Sequence, residues 1–250
     1  MTISKVMTGV PGLDTVLKGG INPNSSVLIS GGPGTGKTIF AMQFLLEGAK
    51  KREAGLMMLY GTSKEELLQY ASSLGLGLEP YVKSGLISII EGQISTRRFM
   101  SLSVPLDIIR TKKIKRIVID SLTMFSYVHL VNDKEYRREI VNFLNSMKNV
   151  TLLATTEGWE SNIDELEYKP EHFLFDGVIF LNRVRRGASF ERVLFISKMR
   201  GQDYLTEIFP FHILKGGIKV YPDQLPFSLM EEKENSLAKC QKFVSGKSNK

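Results

Sequence analysis

One eight-residue stretch, residues 31–38, constrains this chain more than any other. It reads Gly-Gly-Pro-Gly-Thr-Gly-Lys-Thr and fits G-x-x-x-x-G-K-[ST], the phosphate-binding loop. The apolar residues 26–30 before it indicate a buried strand, and residues 38–50 behind it indicate a largely buried helix. A strand that leads through such a loop into a helix is the context in which this motif binds a nucleoside triphosphate. The alternative, a glycine-rich turn that binds nothing, leaves that context unexplained.

Each position of the loop has an expected part in holding ATP and Mg²⁺. The glycines let the backbone pass close to a polyphosphate, so that N–H groups and the helix N-terminus face its charge. Lys37 is expected to reach the β- and γ-phosphates, and the Thr38 hydroxyl is expected to bind Mg²⁺. The predicted ATP contacts are Gly32, Pro33, Gly34, Thr35, Gly36, Lys37, Thr38 and Ile39.

A second predicted strand supplies a carboxylate. Residues 115–120 form an apolar run that ends in Asp120, about 80 residues after the loop. We expect this strand to neighbour the strand of residues 26–30, where an aspartate at its carboxyl end holds Mg²⁺ directly or through water. An apolar run that ends in Asp is weak evidence by itself, and the loop makes it specific. Lys37 and Asp120 are therefore predicted catalytic residues, and Thr38 and Asp120 are the predicted metal ligands.

The order of the remaining elements predicts an α/β fold. Strands and helices alternate from residue 26 to 156, which implies a mostly parallel, doubly wound sheet with ligands at the carboxyl ends of its strands. Strands alone follow. A hairpin is predicted from residues 177–182 and 192–197, and shorter strands near 206–213 and 217–221, so we expect antiparallel strands to extend the sheet.

Length and composition narrow the classes of function. At 250 residues we predict a single domain over residues 1–230 and a polar, flexible tail over 231–250. No apolar run approaches the ~20 residues of a membrane span, and the N-terminus lacks the apolar core of a signal peptide, so we expect a cytoplasmic protein with no membrane partner. The single cysteine excludes an intrachain disulfide, and the three scattered histidines show no metal-ligand spacing.

Motifs at both ends of the core resemble a known family. Residues 8–21 fit T-G-x-x-G-L-D-x-x-L-x-G-G-I ahead of the loop. Residues 176–179 read Asp-Gly-Val-Ile, residues 198–201 read Lys-Met-Arg-Gly, and residues 217–222 read Gly-Ile-Lys-Val-Tyr-Pro. Together they resemble a single-domain, archaeal KaiC-like ATPase of the RecA superfamily, a type often described as RadA paralogues. The resemblance runs from about residue 7 to 224.

The resemblance implies an assembly as well as a fold. It implies a RecA-type ATPase core that forms a homo-oligomer, a ring or a filament, with ATP held between neighbouring subunits. In that family the K-M-R-G strand reaches the γ-phosphate of the next subunit, so Lys198 and Arg200 are expected to contact ATP in trans. The alternative is that both are surface charges at a strand end.

The chain departs from the family at the carboxylates that polarise the attacking water. The family places adjacent glutamates just after the second strand, and this chain has Gly61 and Thr62 there. Because loss of a general base costs roughly 10²–10⁴-fold in rate, we expect weak hydrolysis. Glu65 is the candidate replacement base, with the alternative that it is an ordinary first-turn helix acid. Glu91, which ends the strand of residues 86–90, and Glu157, which ends the strand of residues 150–156, are further candidates, and Glu157 is the candidate γ-phosphate sensor.

Charge leaves contact with DNA open. The net charge of +7 permits a polyanionic partner. Residues 157–173, however, carry six acids against one lysine, a net charge of −5 that repels phosphates. Four groups of basic residues lie elsewhere: Arg97 and Arg98 with Phe99; the run 110–116; Arg137 and Arg138; and Arg183, Arg185 and Arg186. The last group, at the tip of the predicted hairpin, is the best placed of them to bind phosphate.

The sequence therefore predicts an ATP- and Mg²⁺-binding RecA-family protein with weak ATPase activity. Its expected use is as an accessory factor or regulator in DNA recombination or repair, with single-stranded DNA or a RadA-type recombinase as partner. The alternative is a non-hydrolysing, nucleotide-gated regulatory or scaffold protein with a protein partner and no DNA role. A KaiC-like autokinase is the weakest reading, because the chain has one domain and lacks the glutamate pair.

Overall fold

The computed structural model describes residues 4–92, 103–123, 133–158 and 168–228. Its strands are β1 (Ser26–Gly31), β2 (Gly55–Leu59), β3 (Ile87–Glu91), β4 (Arg116–Asp120), β5 (Thr151–Glu157), β6 (Gly177–Arg186), β7 (Ser189–Met199), β8 (Phe209–Leu214) and β9 (Gly217–Val220). Its helices are α1 (Leu13–Val16), α2 (Lys37–Lys50), α3 (Lys64–Ser73), α4 (Glu79–Lys83), α5 (Ser103–Thr111), α6 (Asp133–Ser146) and α7 (Pro170–Leu174). The predicted tail, residues 231–250, lies outside the described residues.

The strands form one nine-stranded sheet in the order β3-β2-β4-β5-β1-β6-β7-β8-β9. The six strands from β3 to β6 in that order pair in parallel, and β7, β8 and β9 add antiparallel pairs at one side. The apolar runs read from the sequence are these parallel strands, which are buried on both faces and so need no alternation of polar residues. The predicted α/β fold with its antiparallel extension is confirmed. The short helix α4 was not predicted.

The expected position of the Asp120 strand is wrong in one respect. β4 does not neighbour β1, because β5 lies between them and pairs with both, through Leu152 to Ser26 and through Thr151 to Arg116. The lateral separation of β1 and β4 is thus two strand spacings, about 10 Å. Sequence pattern could not show this, since every parallel strand here has the same kind of apolar run and the pattern does not fix which strands are neighbours.

Helices cover both faces of the sheet. On one face, α2 contributes Phe40 and Phe44 to a core that also includes residues from α1 and α3. On the other face, α6 contributes Ile140 and Phe143 to a second core, with α5 packed at its side. Within the described ranges, no helix has both the length and the apolar character needed to cross a membrane.

A buried arginine joins α2, β4 and the N-terminal segment. The side chain of Arg116 is 1% exposed, and its Nε donates to Glu53 Oε2 at 2.6 Å. One terminal nitrogen donates to the carbonyl oxygens of Met7, at 2.7 Å, and Phe44, at 3.0 Å. The guanidinium passes over Gly48 of α2, where there is no room for a Cβ. Since α2 begins at the loop and β4 ends at Asp120, this arginine fixes the two elements relative to each other.

Candidate nucleotide-binding site

Residues 31–38 connect β1 to α2 in a conformation that needs its glycines. Gly34 and Gly36 have φ values of +73° and +105°, which side chains rarely adopt. At Gly31 the limit is space, because a Cβ would lie 2.3 Å from the carbonyl oxygen of Leu181. The predicted loop therefore begins at the last residue of β1 and leads directly into α2.

The first turn of α2 is open to an anion. Its N-cap is Gly36, which makes no side-chain cap hydrogen bond, and the turn holds no acidic residue. The first N–H groups of a helix have no partner within the helix and carry the positive end of its dipole. Such an end suits a phosphate. A cavity of about 220 Å³ lies against it, lined by Gly34, Gly36, Lys37, Thr38, Ile39 and Ile213.

Lys37 is held at the mouth of the loop. Its Nζ donates to the carbonyl oxygens of Gly31, at 2.7 Å, and Gly32, at 2.9 Å. Burial lowers the pKa of Lys37, and the nearby carboxylates of Glu157 and Asp120 oppose that shift. The ammonium group thus stands among acceptors and negative charges, positioned to exchange loop carbonyls for phosphate oxygens.

Thr38 and Asp120 meet although their strands are not neighbours. The Thr38 hydroxyl donates to Asp120 Oδ2 at 2.7 Å, and the Thr155 hydroxyl of the intervening β5 donates to Asp120 Oδ1. Hydroxyl and carboxylate oxygens are ligands that Mg²⁺ accepts, and this ion usually keeps several waters and takes only one or two carboxylates. In the part of the chain that the structure describes, no cluster of three or more His, Cys, Asp or Glu forms a full protein cage. The pair therefore fits an ion that completes its shell with phosphate and water.

Glu157 lies beside the loop at the end of β5. It pairs in register with Gly31. Its backbone N–H donates to the Thr123 hydroxyl at 2.7 Å, and its carbonyl oxygen accepts a hydrogen bond from Lys169 Nζ. The backbone of Glu157 is thus held on both sides, and its carboxylate acts on the pKa of Lys37. Apart from Asp120, Glu157 is the candidate carboxylate that lies nearest to the loop.

The carboxylates near α3 have a different environment. Gly61 has a φ of +90°, and neither it nor Thr62 offers a carboxylate. Glu66 forms a capping box with Ser63, in which its carboxylate accepts from the Ser63 backbone N–H at 2.9 Å. Glu65 is exposed in the same first turn, and no described hydrogen bond or ion pair joins it to the loop. The structure does not bring Glu65 into contact with Lys37 or Asp120.

Lys198 and Arg200 lie at the opposite edge of the sheet from the loop. Met199, between them in sequence, pairs with Gly177 of β6, and Gly177 pairs in turn with Val27 at the amino end of β1. The loop follows the carboxyl end of β1. Lys198 Nζ and the Arg200 guanidinium both donate to the carbonyl oxygen of Phe173, at 3.3 Å and 3.0 Å, in the last turn of α7. They stabilise that helix end and lie away from the loop of residues 31–38 in the same chain.

His172 is a buried histidine whose two ring nitrogens both have partners. Its Nδ1 accepts from the Lys169 backbone N–H at 2.9 Å, and its Nε2 lies 3.2 Å from the Ser30 hydroxyl. Burial, with the positive charges of Lys169 and Lys198, lowers the pKa of His172 to about 4. The ring is neutral at pH 7 and links α7 to the last part of β1.

Two residues at the candidate site were not predicted. Ile213 of β8 lines the cavity, and its Cδ1 would lie 3.2 Å from a Cβ at Gly36. Lys169 holds the Glu157 carbonyl. Neither residue lies in a recognisable sequence motif. Ile213 reaches the site because of the order of strands in the sheet, and Lys169 because the chain after β5 folds back towards the end of that strand. Arg97, Arg98, Phe99 and residues 159–167 of the acidic loop lie outside the described residues.

Comparison with known proteins identifies the relatives of this chain. A family model described as "ATPase: KaiC" matches residues 6–225. A circadian clock oscillator protein KaiC from Parathermosynechococcus lividus is 31% identical over 232 residues, which cover 88% of this chain and 43% of that protein. The chain thus spans about half the length of the KaiC proteins it matches.

Two relatives match over nearly their whole length. A UPF0273 protein from Pyrococcus horikoshii is 30% identical over 242 residues, covering 88% of this chain and 95% of that protein. The crystal structure of a KaiC-like protein from the same organism matches with a TM-score of 0.76 and 31% identity, covering 88% of this chain and 100% of that chain. The sheet with its antiparallel extension is therefore the fold of a KaiC-like, RecA-type ATPase.

Proposed function

Because this chain belongs to the KaiC family of ATPases, we propose that it binds ATP with Mg²⁺ at the loop of residues 31–38 and Asp120 and hydrolyses it slowly. Membership makes it a RecA-type nucleotide-binding protein. The observation that supports the proposal most directly is the 2.7 Å contact between the Thr38 hydroxyl and Asp120 Oδ2, next to Lys37. It joins the phosphate loop and the metal carboxylate into one site.

The proposed active form is a homo-oligomer, either a ring or a filament. Lys198 and Arg200 lie at the amino edge of the sheet, away from the loop of their own subunit. A contact between these cations and the γ-phosphate therefore requires a second subunit. On binding, both side chains exchange the carbonyl oxygen of Phe173 for phosphate oxygens, which are stronger acceptors for a cation.

Slow hydrolysis follows from the carboxylates present. Gly61 and Thr62 have no carboxylate to accept a proton from water, which leaves Glu65, Glu91 and Glu157 as candidates. Glu91 ends β3, the edge strand farthest from β1 on that side of the sheet, and its carboxylate accepts a hydrogen bond from the Lys64 backbone N–H. We favour Glu157, because it lies in register with Gly31 and its charge acts on Lys37, whereas Glu65 is exposed one turn into α3. In this proposal Glu157 both senses the γ-phosphate and orients water from β5.

We propose that this ATP-binding protein serves DNA recombination or repair as an accessory factor, through single-stranded DNA or a RadA-type recombinase. The lack of carboxylates at residues 61 and 62 also favours a second candidate. In that candidate ATP is bound without hydrolysis and stabilises an assembly with a protein partner, with no DNA role.

The test is steady-state ATP hydrolysis and equilibrium ATP binding by the wild type and three variants. We expect a wild-type kcat below about 1 s⁻¹. Lys37→Ala should abolish binding, and Glu157→Gln should keep binding but lower kcat by about 10²-fold, since general-base loss costs 10²–10⁴-fold. Glu65→Gln is the matched control and should leave kcat unchanged.

The opposite pattern, with Glu65→Gln inactive and Glu157→Gln active, would assign the base to Glu65. A wild type that binds ATP with no turnover above that of Lys37→Ala would establish the non-hydrolysing candidate. Failure of the wild type to bind Mg²⁺-ATP would refute the proposal as a whole.

A further inference from the structure

We infer that the tip of the β6–β7 hairpin is a contact surface for single-stranded nucleic acid. The surface consists of Arg183, Arg185, Phe190 and Arg192, and we refer to it as the hairpin surface. This inference deepens the DNA part of the proposed function by assigning the contact to particular residues. It uses no group of the ATP site, so the two can fail separately.

Strand pairing puts these four side chains on one face. Arg183 lies directly opposite Arg192, and Arg185 lies directly opposite Phe190. Residues that face each other across an antiparallel pair, and residues two apart along a strand, project from the same face. Three guanidinium groups and one aromatic ring therefore share a patch that spans three residues of each strand.

The positive charges of this patch are not balanced by acids. Among the described residues, Arg183, Arg185 and Arg192 form no salt bridge. Arg192 Nε is buried and has no hydrogen-bond partner there. Like charges directly opposite each other destabilise a strand pair, so an anion bound across Arg183 and Arg192 would relieve a repulsion that the free protein carries.

The acid nearest in sequence does not offset this charge. Glu191 projects from the other face of the hairpin, where its carboxylate accepts hydrogen bonds from the backbone N–H groups of Phe227, at 3.2 Å, and Ser228, at 3.0 Å. Arg186 projects from that face as well and lies over the Phe227 ring at 4.6 Å. The hairpin surface thus keeps its three cations on the face that Glu191 does not share.

The aromatic ring selects a nucleic acid with unpaired bases over other polyanions. Phe190 is 67% exposed, so its ring is accessible to a base. The Arg183 guanidinium carbon lies 5.8 Å from its ring centroid. Exposed aromatic rings beside arginines are the means by which proteins stack bases and neutralise phosphates of single strands, whereas paired bases within a duplex cannot be stacked on in this way.

The hairpin surface is also close to the nucleotide edge of the sheet. Leu181 of β6 pairs with Gly31, the first residue of the loop. At about 3.3 Å per residue, Arg183 lies roughly 7 Å and Arg185 roughly 13 Å beyond that point. A strand bound here would run just outside the loop, where the state of the bound nucleotide can influence it.

The experiment measures fluorescence anisotropy of a labelled, single-stranded oligothymidylate across a salt series, without ATP. Three phosphate contacts give a slope of log K against log salt of about −2, so affinity should fall about 20-fold between 50 and 200 mM salt. Arg183→Gln/Arg185→Gln should reduce the steepness of that slope by about 1.4. Phe190→Ala should weaken binding by at least about fivefold with the slope unchanged.

A matched control removes equal or greater charge elsewhere. Arg110, Lys112 and Lys113 are exposed at the amino end of β4, and their triple change to Gln should leave binding within twofold of the wild type. Thermal unfolding of each variant checks that it is folded. Lys37→Ala should bind the oligonucleotide normally, which separates this inference from the ATP proposal.

Three outcomes would overturn the inference. The first is absence of wild-type binding at 50 mM salt. The second is equal loss of binding in the hairpin and control variants, which would indicate a diffuse charge effect. The third is equal affinity for heparin with no effect of Phe190→Ala, or binding of an acidic peptide in place of the oligonucleotide, which would indicate a polyanion or protein surface.

Discussion

The change Gly48→Ala tests the junction of α2 and β4 because two physical effects oppose each other there. Gly48 lies inside α2, where alanine is normally preferred by about 1 kcal/mol, so propensity alone predicts a more stable protein. The structure predicts the reverse. A Cβ at this position would lie 2.5 Å from Cδ and 2.6 Å from Nε of Arg116, closer than real Cβ contacts occur.

The magnitude follows from what Arg116 would lose. Its guanidinium is fixed by hydrogen bonds to Glu53 and to the carbonyl oxygens of Met7 and Phe44, so it cannot move aside and keep them. Breaking a buried, hydrogen-bonded charge pair costs about 3–5 kcal/mol, and the lower end applies because the Glu53 side chain is 36% exposed while that of Arg116 is buried. After subtracting the propensity gain of about 1 kcal/mol, we expect Gly48→Ala to lower the free energy of unfolding by about 2 kcal/mol.

Urea unfolding followed by circular dichroism measures this change, and a double-mutant cycle isolates its cause. In an Arg116→Val background the guanidinium is absent, so Gly48→Ala should be neutral or stabilising by up to about 1 kcal/mol. The coupling energy between the two positions should then be about 3 kcal/mol. A Gly48→Ala protein at least as stable as the wild type, or an equal loss in both backgrounds, would refute the reasoning.

Two further predictions concern the site. Thr38→Ala should weaken ATP binding in Mg²⁺ by about tenfold, or 1.4 kcal/mol, because it removes a hydroxyl beside Asp120, and it should leave ATP binding in EDTA unchanged. Calorimetry compares this variant with Thr38→Ser, which should retain ATP binding. An equal loss of ATP binding in EDTA would contradict the metal assignment. The pKa of His172 is lowered to about 4 in the folded state from 6.5, so the unfolded chain binds the proton first as pH falls. Its contribution to stability should be complete above pH 6.5 and decline by up to about 1.4 kcal/mol per pH unit towards pH 4. His172→Gln should flatten the unfolding free energy over that window, and an unchanged profile would show that other groups cause the decline.

The phosphate loop and the order of elements were predictable because short-range geometry encodes them. A loop that wraps phosphate needs glycines at fixed offsets, as at Gly34 and Gly36, with Lys37 and Thr38 at fixed positions after them. The strands were predictable because parallel strands buried on both faces are continuous apolar runs. The roles of Lys198 and Arg200 came from a family resemblance, and their contact with ATP stays a prediction.

The arrangement of these parts was decided only by tertiary structure. Apolar runs of similar composition do not specify which strands are neighbours, so the place of β5 between β1 and β4 could not be read from the chain. The proximity of Glu157 to Lys37 and the position of Ile213 over Gly36 follow from that lateral order. So does the location of Arg116 in the space left by Gly48. Residues far apart in sequence become neighbours only when packing of the whole core selects one arrangement, because local propensity carries no term for it.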